Sequence, residues 1–344
     1  MNGECPVPYA EHERILLGHG AGGRLTTELL DTLVLPAIGD LPDGPLEDAA
    51  LLPDFPELVV STDSFVVSPL VFPGGDIGSL AVHGTINDLA MRGALPLALS
   101  LAVIAEEGLP LAELQSLLAS AGKAAHSAGV PVVTGDTKVV GRGAADKLFL
   151  NTTGIGRRIP GLTPSAARAR PGDAILLSGP IGLHGTAVLS TREGLGFATD
   201  IASDSQPLHR LVEALAPYGA DIHTLRDPTR GGLATTLNEI ARDSAVAVEI
   251  DESTLPVPPA VASACDLLGL DPLIVANEGC LVAFVAPAAA DAALAALRAR
   301  PEGAQAVRIG ETADGPGGRV VLRTLVGARR VVDMPLGEQL PRIC

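Results

Sequence analysis

An α/β (α+β) fold of two domains, followed by a flexible C-terminal tail, is what the sequence predicts, on three grounds. β-branched runs at Leu58 to Val67 and Val130 to Thr134 enclose stretches of longer, helical period at Ile77 to Met91 and Leu111 to His126, the alternation of an α/β unit. Arg157 to Arg170 (RRIPGLTPSAARAR) mixes prolines, small residues and charge, and Pro171-Gly172-Asp173 then opens onto a fresh strand, Ala174 to Leu177. A chain of 344 residues, 47% of them hydrophobic, is long and apolar enough for two cores.

Taken in order, residues 1–40 form a leader holding a glycine-rich loop and a helix, Arg24 to Val34, expected to stop at Pro36. Residues 41–160 make the N-terminal domain. Residues 171–333 make the C-terminal one, with helices expected at Leu208 to Ala216, Leu233 to Arg242 and Ala288 to Arg300 and strands at Val246 to Ile250, Leu281 to Val285 and Arg319 to Leu322. Residues 334–344, MPLGEQLPRIC, carry two prolines and a glycine and no regular period, so they read as an arm.

A formal charge of -16, a pI near 4.8 and 2% aromatic residues remove the basic surface and stacking platforms of a nucleic-acid binder. The longest uncharged apolar stretch, Ala94 to Ala105, is shorter than the roughly 18 residues of a membrane span, and the opening MNGECPVPYAEHER has neither a basic nor an apolar leader region. No membrane association is expected, and the location expected is cytoplasmic. Cys5, Cys265, Cys280 and Cys344 are scattered without a C-x-x-C pair, so no zinc site or disulfide framework is expected, and Cys265 and Cys280 read as core residues.

Gly18-His19-Gly20-Ala21-Gly22-Gly23 fits G-x-G-x-x-G, yet a dinucleotide fold needs an acid ending a second strand about 20 residues on, and that distance falls in the turn Asp40-Leu41-Pro42-Asp43-Gly44. No Gly-Lys-Ser/Thr follows, which excludes a Walker A loop. What remains is a small-residue loop entering a helix, suited to an anion such as phosphate. Aspartates recur at strand ends or on apolar faces in EDAA (Asp48), STDS (Asp63), NDLA (Asp88) and GDTK (Asp136). Converging carboxylates of this kind make a magnesium site, and magnesium lets an acidic pocket hold a polyphosphate.

The chain closes on Pro341-Arg342-Ile343-Cys344. A prenylation box needs its cysteine fourth from the end, which excludes prenylation here. Extended at about 3.3 Å per residue, the stretch after Gly327 reaches roughly 56 Å, beyond the about 20 Å gyration radius of a compact chain this long. The thiol can therefore enter an internal pocket or present itself to another protein. With the terminal carboxylate raising its pKa and Arg342 lowering it, a value near the ordinary 8.5 or so is expected.

In order and across nearly the whole chain, GHGAGG, EDAA, STDSF, HGTINDLAMRGALPLALS, GDTK and DPTRGGL resemble the PurM-like ATP-dependent synthetases, a superfamily that includes selenophosphate synthetase, thiamine-monophosphate kinase and aminoimidazole ribonucleotide synthetase. The closing PRIC resembles the signature of one branch, the hydrogenase maturation factors of the HypE type. The resemblance implies a two-domain PurM-like fold whose N-terminal mixed sheets pair across a homodimer, with ATP and Mg2+ as cofactors. It implies that Cys344 receives a carbamoyl group from the carbamoyltransferase HypF, that the thiocarbamate is dehydrated to a thiocyanate, and that the cyanide passes to iron on a HypC and HypD scaffold for the nickel-iron hydrogenase centre. By resemblance, Asp48, Asp63, Asp88 and Asp136 serve metal and phosphate. Asn87, Arg230 and the loop glycines Gly18, Gly20, Gly22 and Gly23 assist the nucleotide, Lys138 contacts the carbamoyl group or γ-phosphate, and Glu278 accepts a proton. On the residues alone, Lys138 also reads as a surface salt-bridge lysine and Glu278 as a turn carboxylate.

Other readings stay open at this point. Cys5 invites comparison with selenophosphate synthetase, but no lysine occurs before Lys123, where that enzyme needs one. A kinase of the thiamine-monophosphate type needs no terminal cysteine. A non-catalytic nucleotide-binding adaptor has no need of the aspartates together with Lys138 and Glu278.

Overall fold

The computed structural model describes residues 17–20, 22–38, 46–52, 54–192, 201–315, 317–336 and 342–344. Cys5, the turn at 40–44 and Pro341 lie outside them. The strands are β1 (Ala50–Leu52), β2 (Phe55–Phe65), β3 (Val71–Phe72), β4 (Gly75–Asp76), β5 (Ala94–Glu106), β6 (Val132–Val140), β7 (Leu148–Arg158), β8 (Ala174–Leu177), β9 (Ile222–Arg226), β10 (Ala247–Asp251), β11 (Val282–Val285), β12 (Val307–Ala313), β13 (Arg319–Arg323) and β14 (Arg329–Val331). The helices are α1 (Arg24–Leu29), α2 (Leu35–Ile38), α3 (Ile77–Met91), α4 (Leu111–Ala128), α5 (Leu183–Ser190), α6 (His209–Leu215), α7 (Gly232–Asp243), α8 (Pro259–Leu268) and α9 (Ala290–Arg298).

The N-terminal sheet runs β1-β2-β7-β5-β6, antiparallel except for the parallel pair β5 and β6. Its mixed character follows from the connections: α4 carries the chain from β5 back to the parallel β6, as a crossover requires. One face is apolar by alternation, with Val59, Ser61 and Phe65 of β2 and Leu148, Leu150 and Thr152 of β7 buried on the side that α3 covers. The uncharged run from Ala94 emerges as β5 in this sheet.

α3 starts at a capping box, in which Asp76 accepts from Ser79 N at 2.9 Å and Ser79 Oγ accepts from Asp76 N at 3.1 Å. It is buried nearly all round because it lies between the two domains. Leu80 and Ala81 pack with the first sheet, while Ala90 and Met91 pack with Leu208, Leu211 and Leu281 of the second domain.

The second sheet runs β14-β13-β10-β12-β8-β11-β9. Its centre is apolar on both faces: Ile175, Leu177, Val282 and Phe284 face α7, whereas Leu176, Ala283 and Val285 face α6 and α9. The expected boundary segment, Arg157 to Arg170, spans from the end of β7 into the stretch before β8. Among the described residues no helix is long and apolar enough to cross a membrane.

Pro36 does not stop the leader helix. Leu30–Val34 widens into a π-type turn, and helix resumes over Leu35–Ile38. The wider turn frees the carbonyl that a proline ring would strike in a regular helix. Cutting Phe284 to Ala removes a ring buried at the centre of the second sheet and is expected to cost about 3–5 kcal/mol in denaturant unfolding; a loss below about 1 kcal/mol contradicts this packing.

Candidate active site

Three carboxylates meet between the domains. Asp48 precedes β1, Asp88 projects from α3 and Asp227 follows β9, and each offers an oxygen within 4.8 Å of the other two. Ser61, on the buried face of β2, donates to Asp88 Oδ2 at 2.7 Å and lies 3.1 Å from the Asp48 carbonyl oxygen. Arg226 Nε forms an ion pair with Asp48 Oδ1 at 2.9 Å and its Nη2 another with Glu239 at 3.0 Å. Asp48 Oδ2 is buried without a hydrogen-bond partner.

Burial pushes the Asp48 carboxyl up to about 8 against the pull of Arg226, and lifts Asp88 well above the carboxylate range, with Asp227 and Asp63 adding to the rise. Asp227 is raised to about 6, again chiefly by burial. A buried cluster of hard oxygen donors with an orphaned oxygen fits a divalent cation such as magnesium.

Asp63 shares the buried face of β2 with Ser61, two residues along, as strand alternation dictates. It accepts from Ser64 N at 2.7 Å, and burial raises it while Arg230 lowers it. Arg230 is held above its ordinary range by the Cys344 sulfur in its ionised form first, then by Asp63, Glu278 and Asp88. These charges therefore form one electrostatic group around the end of the chain.

That end is seated in the cleft. Val66 N donates to Cys344 O at 3.3 Å and Ser68 N to Arg342 O at 3.2 Å, so the tail lies along the exit of β2. Arg342 donates to Val66 O from Nε at 3.0 Å and Nη2 at 2.9 Å and pairs with Asp146. From the second domain, Arg192 Nη2 donates to Arg342 O at 3.2 Å. Ile343 and Cys344, 3% and 9% exposed, pack with Phe65, Val67, Leu70 and Ala276. The expected ordinary thiol pKa is corrected here: burial pushes Cys344 up to about 12, Arg230 opposing it, because Arg342 turns its guanidinium to Val66 and Asp146 instead of the sulfur.

Glu278 is buried, Oε1 has no hydrogen-bond partner, and burial, Asp227, Asp204 and Asp63 raise its carboxyl well above the usual range. Its backbone is clamped by Asp204, which accepts from Glu278 N at 3.2 Å and Gly279 N at 2.9 Å. Gly18 and Gly20 lie in a short 3-10 turn, Leu17–Gly20; Ala21 lies outside the described residues. Gly22 has φ +74°, and a Cβ there would stand 2.8 Å from Arg230 Cβ. Gly23 caps α1, and Arg24 N donates to Pro335 O at 3.2 Å. The glycine loop thus rests on Arg230 and on the start of the tail.

Two expected site residues stand elsewhere within one chain. Asp136 and Lys138 pair with Ala102 and Ile104 on the helix-free face of the edge strand β6, whereas Asp63 is on the helix-covered face of β2, three strands away. Their carboxylate and ammonium form an exposed ion pair at 2.7 Å. Asn87 is occupied internally: its amide donates to Gln206 O at 3.1 Å and accepts from Leu208 N at 2.8 Å, joining α3 to the second domain.

Sequence reasoning missed Asp227 as a member of the carboxylate cluster, having taken only Arg230 from DPTRGG, for the nucleotide. The signal was present, since Asp227 follows a strand as Asp63 follows Val59-Val60, but β9 itself (IHTLR) lacks a clear alternation. Asp204 and His184 carried no local signal.

Two α/β domains enclosing such a cleft define a PurM-like protein. Residues 46–158 match the AIR synthase related protein N-terminal domain and residues 170–323 the C-terminal domain. Carbamoyl dehydratase HypE of Cupriavidus necator is 55% identical over 333 residues, 96% of this chain and 95% of that protein. A crystal structure of a HypE-HypF complex aligns with a TM-score of 0.84 at 47% identity, over 88% of this chain and 100% of that one. Another, of HypE in complex with ATP, aligns at 0.81 and 52% identity over 96% and 100%. The chain belongs to the HypE family of carbamoyl dehydratases, within the AIR synthase related proteins.

The raised carboxyls set a pH dependence. The folded chain holds protons on Asp48 and Asp88 that the unfolded chain has already lost, so stability falls as pH rises above the ordinary carboxylate range, and the Asp48 contribution is lost as pH passes about 8. Between about pH 6.5 and 8.5, above the ordinary histidine range, the melting temperature without added cation is expected to fall. Mg2+ should raise it more at the upper pH, where the carboxylates are free to bind, and less in Asp88→Asn. An equal Mg2+ increment at both pH values in both proteins contradicts a cation at this cluster.

Proposed function

We propose that this chain uses ATP and Mg2+ to dehydrate a carbamoyl group carried on the Cys344 sulfur, turning a thiocarbamate into a thiocyanate whose cyanide becomes a ligand of the hydrogenase iron. The burial of the terminal cysteine against Phe65 and Ala276, held between Val66 of the first domain and His184 of the second, is the observation that carries this reading. A small-molecule kinase leaves such a seat without a purpose.

The chemistry follows from the poor leaving ability of a carbamoyl oxygen. That oxygen attacks the γ-phosphorus of ATP, the bond to the bridging oxygen breaks and ADP departs. The nitrogen then loses its protons as the carbon–oxygen bond breaks, phosphate leaves, and the S–C≡N group remains. Asp48, Asp88 and Asp227, with Asp63 nearby, would hold a magnesium ion, which would supply charge neutralisation for the phosphates. Arg230 supports the polarised oxygen, and the glycine loop brings backbone N–H groups to the nucleotide. Glu278, in its ionised form, takes one of the two nitrogen protons and the departing phosphate carries the other; the high proton affinity that burial gives the carboxylate suits it to this role.

The docked sulfur is a poor nucleophile, since at about 12 it is almost wholly protonated at neutral pH. Carbamoyl transfer from HypF is therefore assigned to the undocked tail, and cyanide delivery to HypC and HypD likewise. A homodimer accounts for Lys138 and Asp136. Among the described residues the outer edge of β6 has no strand partner, and Leu97, Ile104, Val133, Val139 and Ile155 are 38–71% exposed around it. Pairing of two such sheets brings Lys138 of a second copy toward the cleft.

Cys344→Ala is expected to abolish thiocyanate formation while ATP affinity stays within about twofold; full turnover by that variant, followed by product mass, sinks the reading. Lys138→Ala should let the carbamoylated form accumulate and slow dehydration on the order of 10²-fold, and an unaltered single-turnover rate removes Lys138 from the mechanism. Ile104→Asp should halve the mass measured by light scattering; if the wild type is already monomeric, the dimer fails.

A further inference from the structure

His184, on α5, is buried and its ring is fully engaged. Ser205 N donates to Ser203 Oγ at 3.1 Å, and Ser203 Oγ lies 2.8 Å from His184 Nδ1. On the far side, His184 Nε2 lies 2.9 Å from the Ile343 carbonyl oxygen. A carbonyl only accepts, so Nε2 must carry the proton. Nδ1 is then an acceptor, and Ser203, whose oxygen already receives the Ser205 N–H, turns its own proton toward it. The three bonds run in one direction. The Phe72 ring meets the imidazole edge-on, with centroids 5.3 Å apart at 89°, and holds its plane. Burial pushes the ring's pKa down to about 4, so it stays neutral with a single N–H through the physiological range.

Ser203 is itself fixed, since its N donates to Pro73 O at 2.8 Å in the hairpin of β3 and β4. The donor end of this chain is therefore anchored to the first domain, while the ring belongs to the second. Its acceptor is the last peptide before the terminal residue. The contacts of Arg342 fix the tail one residue earlier, to Val66 and Asp146, Val66 N holds the Cys344 oxygen one residue later, and His184 takes the Ile343 carbonyl between them.

We propose that His184 is a positioning residue for the reaction: by donating from Nε2 to the Ile343 carbonyl it holds the final peptide so that the Cys344 sulfur stays in the cleft, and it sets the fraction of time the tail is docked. The catalytic consequence rests on the function proposed above; the seating does not.

The test uses the full-length protein without nucleotide, with iodoacetamide alkylation read cysteine by cysteine by mass spectrometry. A docked, protonated and buried thiol is alkylated only when the tail opens, so the rate follows the open population. His184→Ala should speed Cys344 alkylation about tenfold, equivalent to about 1.4 kcal/mol, with the buried Cys265 and Cys280 still protected. His184→Gln, whose amide nitrogen reaches the same carbonyl, should return the rate to within about twofold of wild type. Equal rates in wild type and His184→Ala, or a Gln variant as fast as the Ala one, overturn the proposal. If the Ala variant exposes Cys265 and Cys280 as well, the Gln variant decides: protection of all three cysteines supports the proposal, and protection of those two with Cys344 still fast overturns it. With a carbamoylated tail, dehydration should fall about tenfold in the Ala variant and recover in Gln. Alkylation behaving as expected while Cys344→Ala still makes thiocyanate leaves the seat standing and removes the proposed function.

Discussion

The charge of Arg230, set among the terminal sulfur, Asp63, Glu278 and Asp88, is the interaction on which the cleft depends. Burial first, and the mutual repulsion of these carboxyls with Asp48 and Asp227 second, lift their pKa values beyond what Arg226 and Arg230 hold down. Such a site is completed by protons or by a cation. Its carboxyls hold their protons above the ordinary carboxylate range, and the same burial that raises them also silences the thiol. Arg230 sits where it does because Gly22 has no side chain: a Cβ there would collide with it.

The second constraint is that neither domain holds the site alone. α3 is buried between them and presents Asp88 to the cluster and Asn87 to the loop at Gln206 and Leu208. Asp227, Arg230 and Glu278 come from the second domain, while Asp48, Asp63 and Ser61 come from the first. The tail is seated by both, through Val66 and Ser68 on one side and His184 and Arg192 on the other. The seat of the sulfur is thus built by both domains together.

Much of this was legible in the sequence where a local pattern had a local cause. The alternation Val59, Ser61, Asp63, Phe65 put a carboxylate on a buried face, and the uninterrupted apolar period of Ile77 to Met91 gave α3 its bounds. The terminal cysteine and the PRIC ending pointed to the chemistry. What stayed hidden depends on tertiary placement. Asp136 shares the strand-end look of Asp63, yet its register puts it on the opposite face of the sheet. Asp227 follows a strand too mixed to recognise. The thiol's pKa was misjudged because its dominant cause, burial against Phe65 and Ala276, involves residues distant in the chain. Pro36 was misjudged because a widened turn spares the bond it would break.

The account makes the terminal sulfur a carrier whose carbamoyl oxygen is lost to ATP inside this cleft. The most direct measurement is a single turnover of protein carbamoylated at Cys344 with heavy oxygen in the carbamoyl group, followed by mass analysis of the released phosphate. The account predicts one heavy oxygen per phosphate and a tail peptide lighter by the elements of water. Heavy oxygen recovered in solvent water, with unlabelled phosphate, would contradict it.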